Sequence, residues 1–207
     1  MPEVAAMKLQ IIDGLRLPAE FRNALKPGGA LRDNHGHSRV LPRFFYEIPS
    51  WEAAKETQLT PNLGLWEFIQ TDVREAEPLR SFPRYVPCAV TLMAMALQRF
   101  RDKVGPVHIA TNGGYRSPQH ALTCRASLHC WATAVDVYRV GDNLLDNPDK
   151  INRCASLARE VVPGVSTHPS PDGAEETDDH LHLDIGFVLA VPHHVRVDSG
   201  LLEEVVT

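Results

Sequence analysis

Apolar residues recur at helical spacing in two stretches of the chain, and each stretch ends at residues that break helices. Residues 86 to 104 predict a core helix that ends near Gly105. Residues 147 to 162 predict a second amphipathic helix, because Pro163 and Gly164 follow it. The apolar positions are Val90, Met93, Leu97 and Phe100 in the first stretch and Ile151, Cys154, Leu157, Ala158 and Val161 in the second.

Two other segments alternate polar and apolar residues with the period of a β-strand. In residues 134 to 138 the alternation places Asp136 on the face opposite its two valine neighbours. Residues 180 to 185 alternate in the same way, so their polar side chains share one face. If the two strands are adjacent, they present imidazole and carboxylate groups to one ion. The polar face of the second strand carries His180, His182 and Asp184.

Shorter patterns predict further elements and a division of the chain. Residues 107 to 111 are typical of a short strand, residues 118 to 123 of the start of a helix, and residues 194 to 197 of a last strand. Residues 1 to 62 are rich in Pro, Gly and charge, and are interpreted as an N-terminal extension packed on the core. Residues 63 to 207 then form the domain that carries the chemistry.

The composition allows one well-packed domain with an extension. The chain has 207 residues, of which 43% are hydrophobic and 23% charged, and this is enough to bury one core. The net charge of -5 and an isoelectric point near 6.0 argue against nucleic acid or an anionic membrane as a partner, since both attract clustered basic residues. The oligomeric state is left open.

Signals for export and for disulfide pairing are weak. The N-terminus lacks the basic start, apolar core and cleavage site of a secretory signal, and no apolar run is long enough to span a membrane. Four cysteines without regular spacing are typical of reduced thiols. We therefore expect a cytoplasmic protein, with a disulfide between Cys124 and Cys130 as an alternative. The cysteines are Cys88, Cys124, Cys130 and Cys154.

His129, Asp136 and His182 are the candidate metal ligands. They lie in the segments S-L-H-C-W-A-T-A-V-D-V and D-D-H-L-H-L-D-I-G, which begin at residues 127 and 178. Two neutral imidazoles and one carboxylate leave a coordination position open for water, which is the arrangement of a catalytic zinc ion. The sequence therefore predicts one Zn²⁺ per chain.

The first of these segments resembles a family signature, S-x-H-x-x-G-x-A-x-D. The signature is that of the zinc D-Ala-D-Ala carboxypeptidases and L-alanyl-D-glutamate endopeptidases, which are grouped with lysostaphin-type peptidases and hedgehog. Ala132 stands where the family has Gly. The stretches L-G-L-W-E-F-I-Q-T-D and G-G-Y-R-S-P are similar to two further family segments, so the resemblance covers roughly residues 63 to 190. Its matched positions are Ser127, His129, Ala134 and Asp136.

The resemblance implies a fold and an activity. The expected fold is α+β, with a small central antiparallel sheet flanked by helices, as in hedgehog and the DD-peptidases. The expected activity is zinc-dependent hydrolysis of an amide bond in a small peptide or a peptidoglycan stem that contains a D-amino acid. Two alternatives stay open: a zinc enzyme of the same fold that acts on another small molecule in specialised metabolism, and an inactive binding module stabilised by zinc.

The resemblance also implies residues that contact the substrate. Arg116 is expected to bind a substrate carboxylate, for which its planar fork of donors is suited. A structural ion pair with a nearby Asp is the alternative role for this residue. Tyr115 and Ser127 are further candidates for substrate binding, and the Ser127 hydroxyl is equally suited to capping a turn.

Two residues compete for the role of general base. Asp179 lies three residues before His182, where the dipeptidases of the family carry a Glu, and this spacing favours Asp179. His180 completes an H-x-H pattern like that of the lysostaphin-type members. If Asp179 is the base, His180 is expected to orient the substrate or to stabilise the oxyanion. His35 and His37 lie outside the resembling region and are interpreted as surface residues.

Overall fold

The computed structural model describes residues 9–168 and 179–193. In these residues the chain combines four α-helices with several small antiparallel sheets. The helices are α1 (Ala19–Leu25), α2 (Trp51–Glu56), α3 (Val90–Val104) and α4 (Pro148–Val161). The strands are β1 (Gln10–Asp13), β2 (Ala30–Arg32), β3 (Ser38–Val40), β4 (Phe44–Glu47), β5 (Gln58–Thr60), β6 (Leu63–Gly64), β7 (Tyr85–Pro87), β8 (Val107–Ile109), β9 (Ala134–Val140), β10 (Asn143–Leu144), β11 (Ser166–His168) and β12 (Leu181–Asp184).

The largest sheet is built around β9. This strand pairs antiparallel with β8, β10 and β12, and β12 in turn pairs with β11. The register of β9 and β12 places His182 directly opposite Asp136. Val135 and Val137 are fully buried in the core, as the alternation of the sequence predicts. The sheet therefore presents its polar residues together on the face away from these valines.

Helices α3 and α4 confirm the two helical patterns. Helix α3 ends at Gly105, whose positive φ of 92° suits a residue without a side chain. Helix α4 begins after Asn147, whose side chain accepts a hydrogen bond from the backbone N–H of Lys150 at 3.0 Å. Pro148 occupies the first turn of this helix, where its missing N–H costs nothing.

The helix predicted to begin in residues 118 to 123 is wrong, since this segment is a series of turns. Side chains offer its backbone other partners. The Ser117 hydroxyl accepts from the N–H of Gln119 at 3.2 Å, and His120 Nδ1 accepts from the N–H of Leu122 at 3.1 Å. Such local hydrogen bonds compete with a helix. The strand predicted at residues 194 to 197 lies outside the described residues.

The N-terminal part of the chain shares the core of the rest. Strand β4 lies between β1 and β7 in a three-stranded antiparallel sheet, and β5 pairs with β6 across residue 62. Leu25, Phe45 and Ile48 are almost fully buried in the same apolar cluster as α3 and β9. Within the described residues no helix has the length and apolar character needed to cross a membrane. All four cysteines are free thiols, so the alternative disulfide is not formed.

Candidate metal centre

Asp136 and His182 meet across the β9–β12 ladder. Their Cα atoms are register partners, and His182 Nδ1 lies 2.7 Å from Asp136 Oδ1. Asp136 is only 8% exposed, so its carboxylate needs compensating partners in a place with little water. The imidazole of His182 is one of these partners.

His129 reaches the same carboxylate from a short 3-10 helix, Leu128–Trp131. Its Nδ1 lies 2.7 Å from the carbonyl oxygen of Gly114, which can only accept, so Nδ1 carries the proton and donates. The other ring nitrogen, Nε2, then keeps its lone pair and lies 3.4 Å from Asp136 Oδ1. This is the tautomer that a metal-ligating histidine requires.

Ala132 ends this 3-10 helix in the left-handed conformation, with φ 55° and ψ 35°. The signature that the sequence resembles has Gly at this position, and a positive φ is the conformation that favours Gly. The backbone turn needed between His129 and β9 is therefore made here by an alanine. Its N–H is hydrogen-bonded to the carbonyl oxygen of His129 at 3.1 Å, which closes the helix before β9 begins.

The three side chains fit a small cation. Their ligand atoms all lie within 4.8 Å of one another. Ligands about 2.0–2.1 Å from a tetrahedral zinc ion lie about 3.3 Å apart, close to the 3.4 Å between His129 Nε2 and Asp136 Oδ1. The 2.7 Å contact of Asp136 with His182 is a hydrogen bond that has to open slightly. The buried cluster can thus hold a metal ion.

The electrostatics of the cluster also suit a cation. Burial lowers the pKa of His129, and the Asp136 carboxylate offsets this only in part, so the ring is neutral near pH 7. Burial alone would raise the pKa of Asp136, but His129 and His182 hold it well below its usual value. Asp136 and His129 therefore supply a carboxylate and a neutral imidazole without losing a proton. The third candidate ligand, His182, has a pKa raised to about 9 and has to lose a proton before it can bind a metal ion.

Asp184 and His168 surround the far side of His182. Asp184 Oδ2 lies 3.6 Å from His182 Nε2, and the Asp184 side chain is buried. His168 is the register partner of His182 on β11, with the ring centroids 5.1 Å apart. These three residues form a second group that can hold a metal ion, but it shares His182 with the first. We favour the first group because its His129 already has a fixed tautomer.

Arg116 lies beside the cluster with an unused donor. Its Nη2 is 3.8 Å from Asp136 Oδ2, so the structure contains the ion pair that was the alternative role for this residue. Its Nε is buried and has no hydrogen-bond partner. A buried guanidinium donor without a partner is costly unless a ligand supplies an acceptor. Arg116 can therefore pair with Asp136 and still offer hydrogen bonds to an anion.

His180 and Asp179 occupy different positions relative to the metal centre. His180 Nε2 lies 3.7 Å from Asp136 Oδ1, and His180 Nδ1 lies 2.6 Å from Asp179 Oδ1. The Asp179 side chain is 85% exposed and contacts the centre only through His180. The structure thus places His180 beside the cluster and Asp179 on the outer side of His180, in contact with solvent.

A cavity of about 730 Å³ opens over the metal centre. It is lined by all three candidate ligands, together with Arg116, Ser127 and His180. Ser127 immediately precedes the 3-10 helix, but its hydroxyl does not cap that helix. Its side chain is therefore free to face a ligand rather than to close a turn.

Tyr115 does not reach this cavity. Its ring is 1% exposed and packs in the main apolar core, with a buried hydroxyl that has no hydrogen-bond partner. It is the neighbour of Arg116 in the chain, and adjacent side chains of an extended segment point in opposite directions. Tyr115 therefore lies in the core of this structure, and its expected contact with substrate stays a prediction.

The cavity also contains residues that the sequence did not single out. His35 is exposed, as expected, and it also lines the cavity with Asp33, Asn34 and Arg39. Phe187 and His168 are further lining residues. The H-G-H stretch around His35 was a visible signal, yet nothing in a turn-rich segment indicated that it folds back over the metal motif. Only the tertiary fold makes that contact.

Comparison of the chain with protein-family models, with curated proteins and with solved structures gives no match. The geometry of the metal centre and of its cavity is therefore the basis for interpreting function.

Proposed function

We propose that this protein is a zinc-dependent hydrolase that cleaves an amide bond in a small peptide bearing a carboxylate. The observation that carries the proposal is the convergence of the His129, Asp136 and His182 cluster with Arg116 on one cavity. The sequence resemblance supports the same class of reaction and a hedgehog/DD-peptidase-like fold. By that resemblance the substrates are peptides with a D-amino acid, such as peptidoglycan stems.

Three side chains would hold the zinc ion: His129 through Nε2, His182 through Nδ1 and Asp136 through its carboxylate. A zinc ion bound in this way activates a water molecule and polarises an amide carbonyl. The Gly114 carbonyl fixes the ring of His129, and Asp184 faces the second nitrogen of His182. Groups in such positions orient the ligands and raise their basicity.

We assign proton transfer to His180 and the orientation of its ring to Asp179. Asp179 accepts a hydrogen bond from the protonated Nδ1 of His180, so Nε2 is unprotonated and its lone pair faces the metal centre. His180 can then take a proton from the attacking water and give it to the leaving amine as the C–N bond breaks. This assignment reverses the preference for Asp179 that the spacing in the sequence gave.

Arg116 is assigned to the substrate carboxylate. Its unpartnered Nε and its position on the cavity wall provide donors beside the reacting bond. A guanidinium binds a carboxylate through two parallel hydrogen bonds, and this holds the substrate in one orientation. Binding at this end places the scissile amide over the metal centre.

The proposal is tested first by metal content. Protein purified without a chelator is expected to contain about one zinc per chain, and His129→Ala and His182→Ala are expected to lose it, because each removes a ligand from a small site. His108→Ala is the control, since His108 lies on β8 away from the centre. Full zinc content in both ligand variants would contradict the assignment.

The second arm measures hydrolysis by the zinc-loaded protein on dipeptides and stem peptides with L- and D-residues. His180→Gln is expected to keep zinc and lose activity by a factor of about 100 to 10,000, as removal of a general base does. Asp179→Asn is expected to lose much less. The opposite ranking would restore Asp179 as the base. If the wild type contains zinc and cleaves no peptide of the panel, the proposed hydrolase activity is wrong.

A further inference from the structure

The hairpin formed by β2 and β3 supplies one wall of the cavity above the metal centre. Its residues Asp33, Asn34, His35 and Arg39 line the cavity. All four precede the region of family resemblance, so the hairpin is a feature of this chain rather than of the signature. None of them belongs to the candidate ligand set. Their effect on the site must therefore be on what the cavity admits.

The hairpin is attached to the segment that carries His129. The N–H of Ala126 donates to the carbonyl oxygen of Arg32 at 2.9 Å, and the indole N–H of Trp131 donates to the carbonyl oxygen of Val40 at 2.9 Å. These hydrogen bonds flank a small apolar cluster separate from the main core. The cluster contains Leu41, Cys130 and Trp131, with Leu31 and Ala126 packed against it.

The hairpin also reaches the segment that follows His182. The guanidinium of Arg39 lies 4.8 Å from the centre of the Phe187 ring, a cation–π distance. Phe187 in turn packs edge-on against Trp131, with the ring centroids 4.8 Å apart. At the tip of the hairpin, Arg125 Nη1 donates to Asn34 Oδ1 at 3.1 Å. The hairpin therefore bridges the two segments that carry the histidine ligands.

The tip is held rigid by Asp33. Its carboxylate accepts from the N–H groups of His35 and His37, each at 2.9 Å, and from Arg39 Nε at 2.8 Å. Desolvation alone would raise the pKa of Asp33, but the hydrogen bonds from Arg39 and from these N–H groups together outweigh it and lower the pKa to about 2. These hydrogen bonds define the conformation in which the tip forms a wall of the cavity.

We propose that this hairpin limits the site to short substrates by blocking peptides that extend beyond the amino-terminal side of the cleaved bond. The inference rests on the proposed function, which assigns the substrate carboxylate to Arg116; we assign the amino-terminal side of the cleaved bond to the hairpin wall of the same cavity. A cavity of about 730 Å³ lies within the range of about 300 to 1,000 Å³ typical of small-ligand pockets. Each added residue of an extended peptide needs about 3.3–3.6 Å of further length, which has to pass the tip.

The test compares binding of two peptide hydroxamates, a dipeptide and a pentapeptide lengthened at its amino end, to the zinc-loaded full-length protein by calorimetry. The wild type is expected to bind the pentapeptide at least tenfold more weakly. A shortened hairpin, with residues 33–37 replaced by an Asn-Gly turn, is expected to remove this difference, because two residues suffice to join antiparallel strands. A milder variant, Asn34→Ala with Arg125→Ala, removes the hydrogen bond at the tip and shortens two side chains of the cavity wall, and it is expected to reduce the difference.

The controls separate this inference from the proposed hydrolysis. Arg153→Ala removes an exposed arginine on α4 and is expected to leave the tenfold difference intact. Equal binding of both hydroxamates by the wild type, or an unchanged ratio in both folded and zinc-loaded hairpin variants, overturns the inference. If no peptide is cleaved but the hairpin variants still remove the length difference, the hydrolase proposal fails and the inference stands. If the zinc-loaded wild type binds neither hydroxamate, both fail.

Discussion

His182 lies between two carboxylates, and this position makes the metal-free cluster a proton site. Its Nδ1 is 2.7 Å from Asp136 and its Nε2 is 3.6 Å from Asp184. Burial lowers the pKa of His182, but hydrogen bonding to Asp136 and Asp184 outweighs burial and raises it to about 9. In the metal-free protein at neutral pH the ring is therefore protonated on both nitrogens. A metal ion has to replace the proton on Nδ1.

Zinc binding is accordingly expected to release about one proton from His182 at pH 7.5. Calorimetry of zinc binding in buffers with different ionisation enthalpies measures that number.

The metal-free protein should also lose stability with rising pH. Because the folded pKa of about 9 lies above the ordinary value of 6.5, the stabilisation is complete below pH 6.5 and is lost as the pH rises through 9.

Two variants bracket this result. Asp184→Asn removes one of the two carboxylates, so it is expected to lower the number of protons released at pH 7.5. His108→Gln changes a histidine on β8, whose pKa is lowered mainly by burial, and is expected to leave the number unchanged. Zinc binding by the wild type without proton release would show that His182 is already neutral in the metal-free protein.

The loop of residues 113–117 connects the metal centre to the rest of the fold. It carries Arg116, and its Gly114 carbonyl accepts a hydrogen bond from His129 Nδ1. The backbone N–H of Tyr115 donates to the carbonyl oxygen of Phe68 at 2.7 Å, and the buried carboxylate of Glu75 accepts from the N–H of Ser117 at 3.1 Å. The position of two functional side chains thus depends on how closely this loop approaches residues 65–75.

Gly114→Ala is expected to disturb that approach. A Cβ at this position would overlap the backbone of Phe68, which cannot move away as a flexible side chain would. We expect a loss of stability of about 1–3 kcal/mol or more together with weaker zinc binding, measured by denaturant unfolding and metal titration. Gly141→Ala is the control, since its φ is +56° but its Cβ would meet nothing within 4 Å. It should cost about 1–2 kcal/mol and leave zinc binding unchanged.

The sequence alone predicted some elements of the fold but not the close approach that makes Gly114 necessary. The alternation around Asp136 and His182 predicted β9, β12 and the shared polar face, because each strand has one buried side and a period of two. The spacing of apolar residues predicted α3 and α4. Nothing local indicated the approach of residues 113–117 to Phe68. That contact is set by tertiary packing, and so is the turn structure of residues 118–123.

The same limit applies to the hairpin over the cavity. The strands β2 and β3 are mostly exposed and only three residues long, so they have no periodic signal that would mark them as part of a site. Their place is fixed by Leu41 and Trp131, which are distant in the chain and fully buried together. The three candidate ligands could therefore be found from the sequence, whereas the wall of the cavity above them could not.

At the scale of the whole molecule, residues 9–62 are part of the folded unit. Strand β4 provides the central strand of one sheet, and Phe45 packs into the core that also holds α3 and β9. The β5–β6 pair crosses the point at which the sequence suggested a boundary. The sheet that carries the candidate metal ligands and the N-terminal sheet therefore stabilise each other through one shared core.

We expect that a fragment of residues 63–207 will not fold alone, because it lacks β1 and β4 and exposes the apolar surface that Phe45 and Ile48 cover. Circular dichroism and zinc analysis of the fragment should find no cooperative unfolding and little bound metal.

In the full chain, Phe45→Ala should lower the free energy of unfolding by about 3–5 kcal/mol, as deletion of a buried aromatic ring does. Val73→Ala, at a side chain that is 77% exposed, should stay within about 0.5 kcal/mol of the wild type. A fragment that folds cooperatively and binds zinc would contradict this expectation and show that the first 62 residues are dispensable for folding. In that case Phe45→Ala would unfold only the N-terminal sheet and leave metal binding intact.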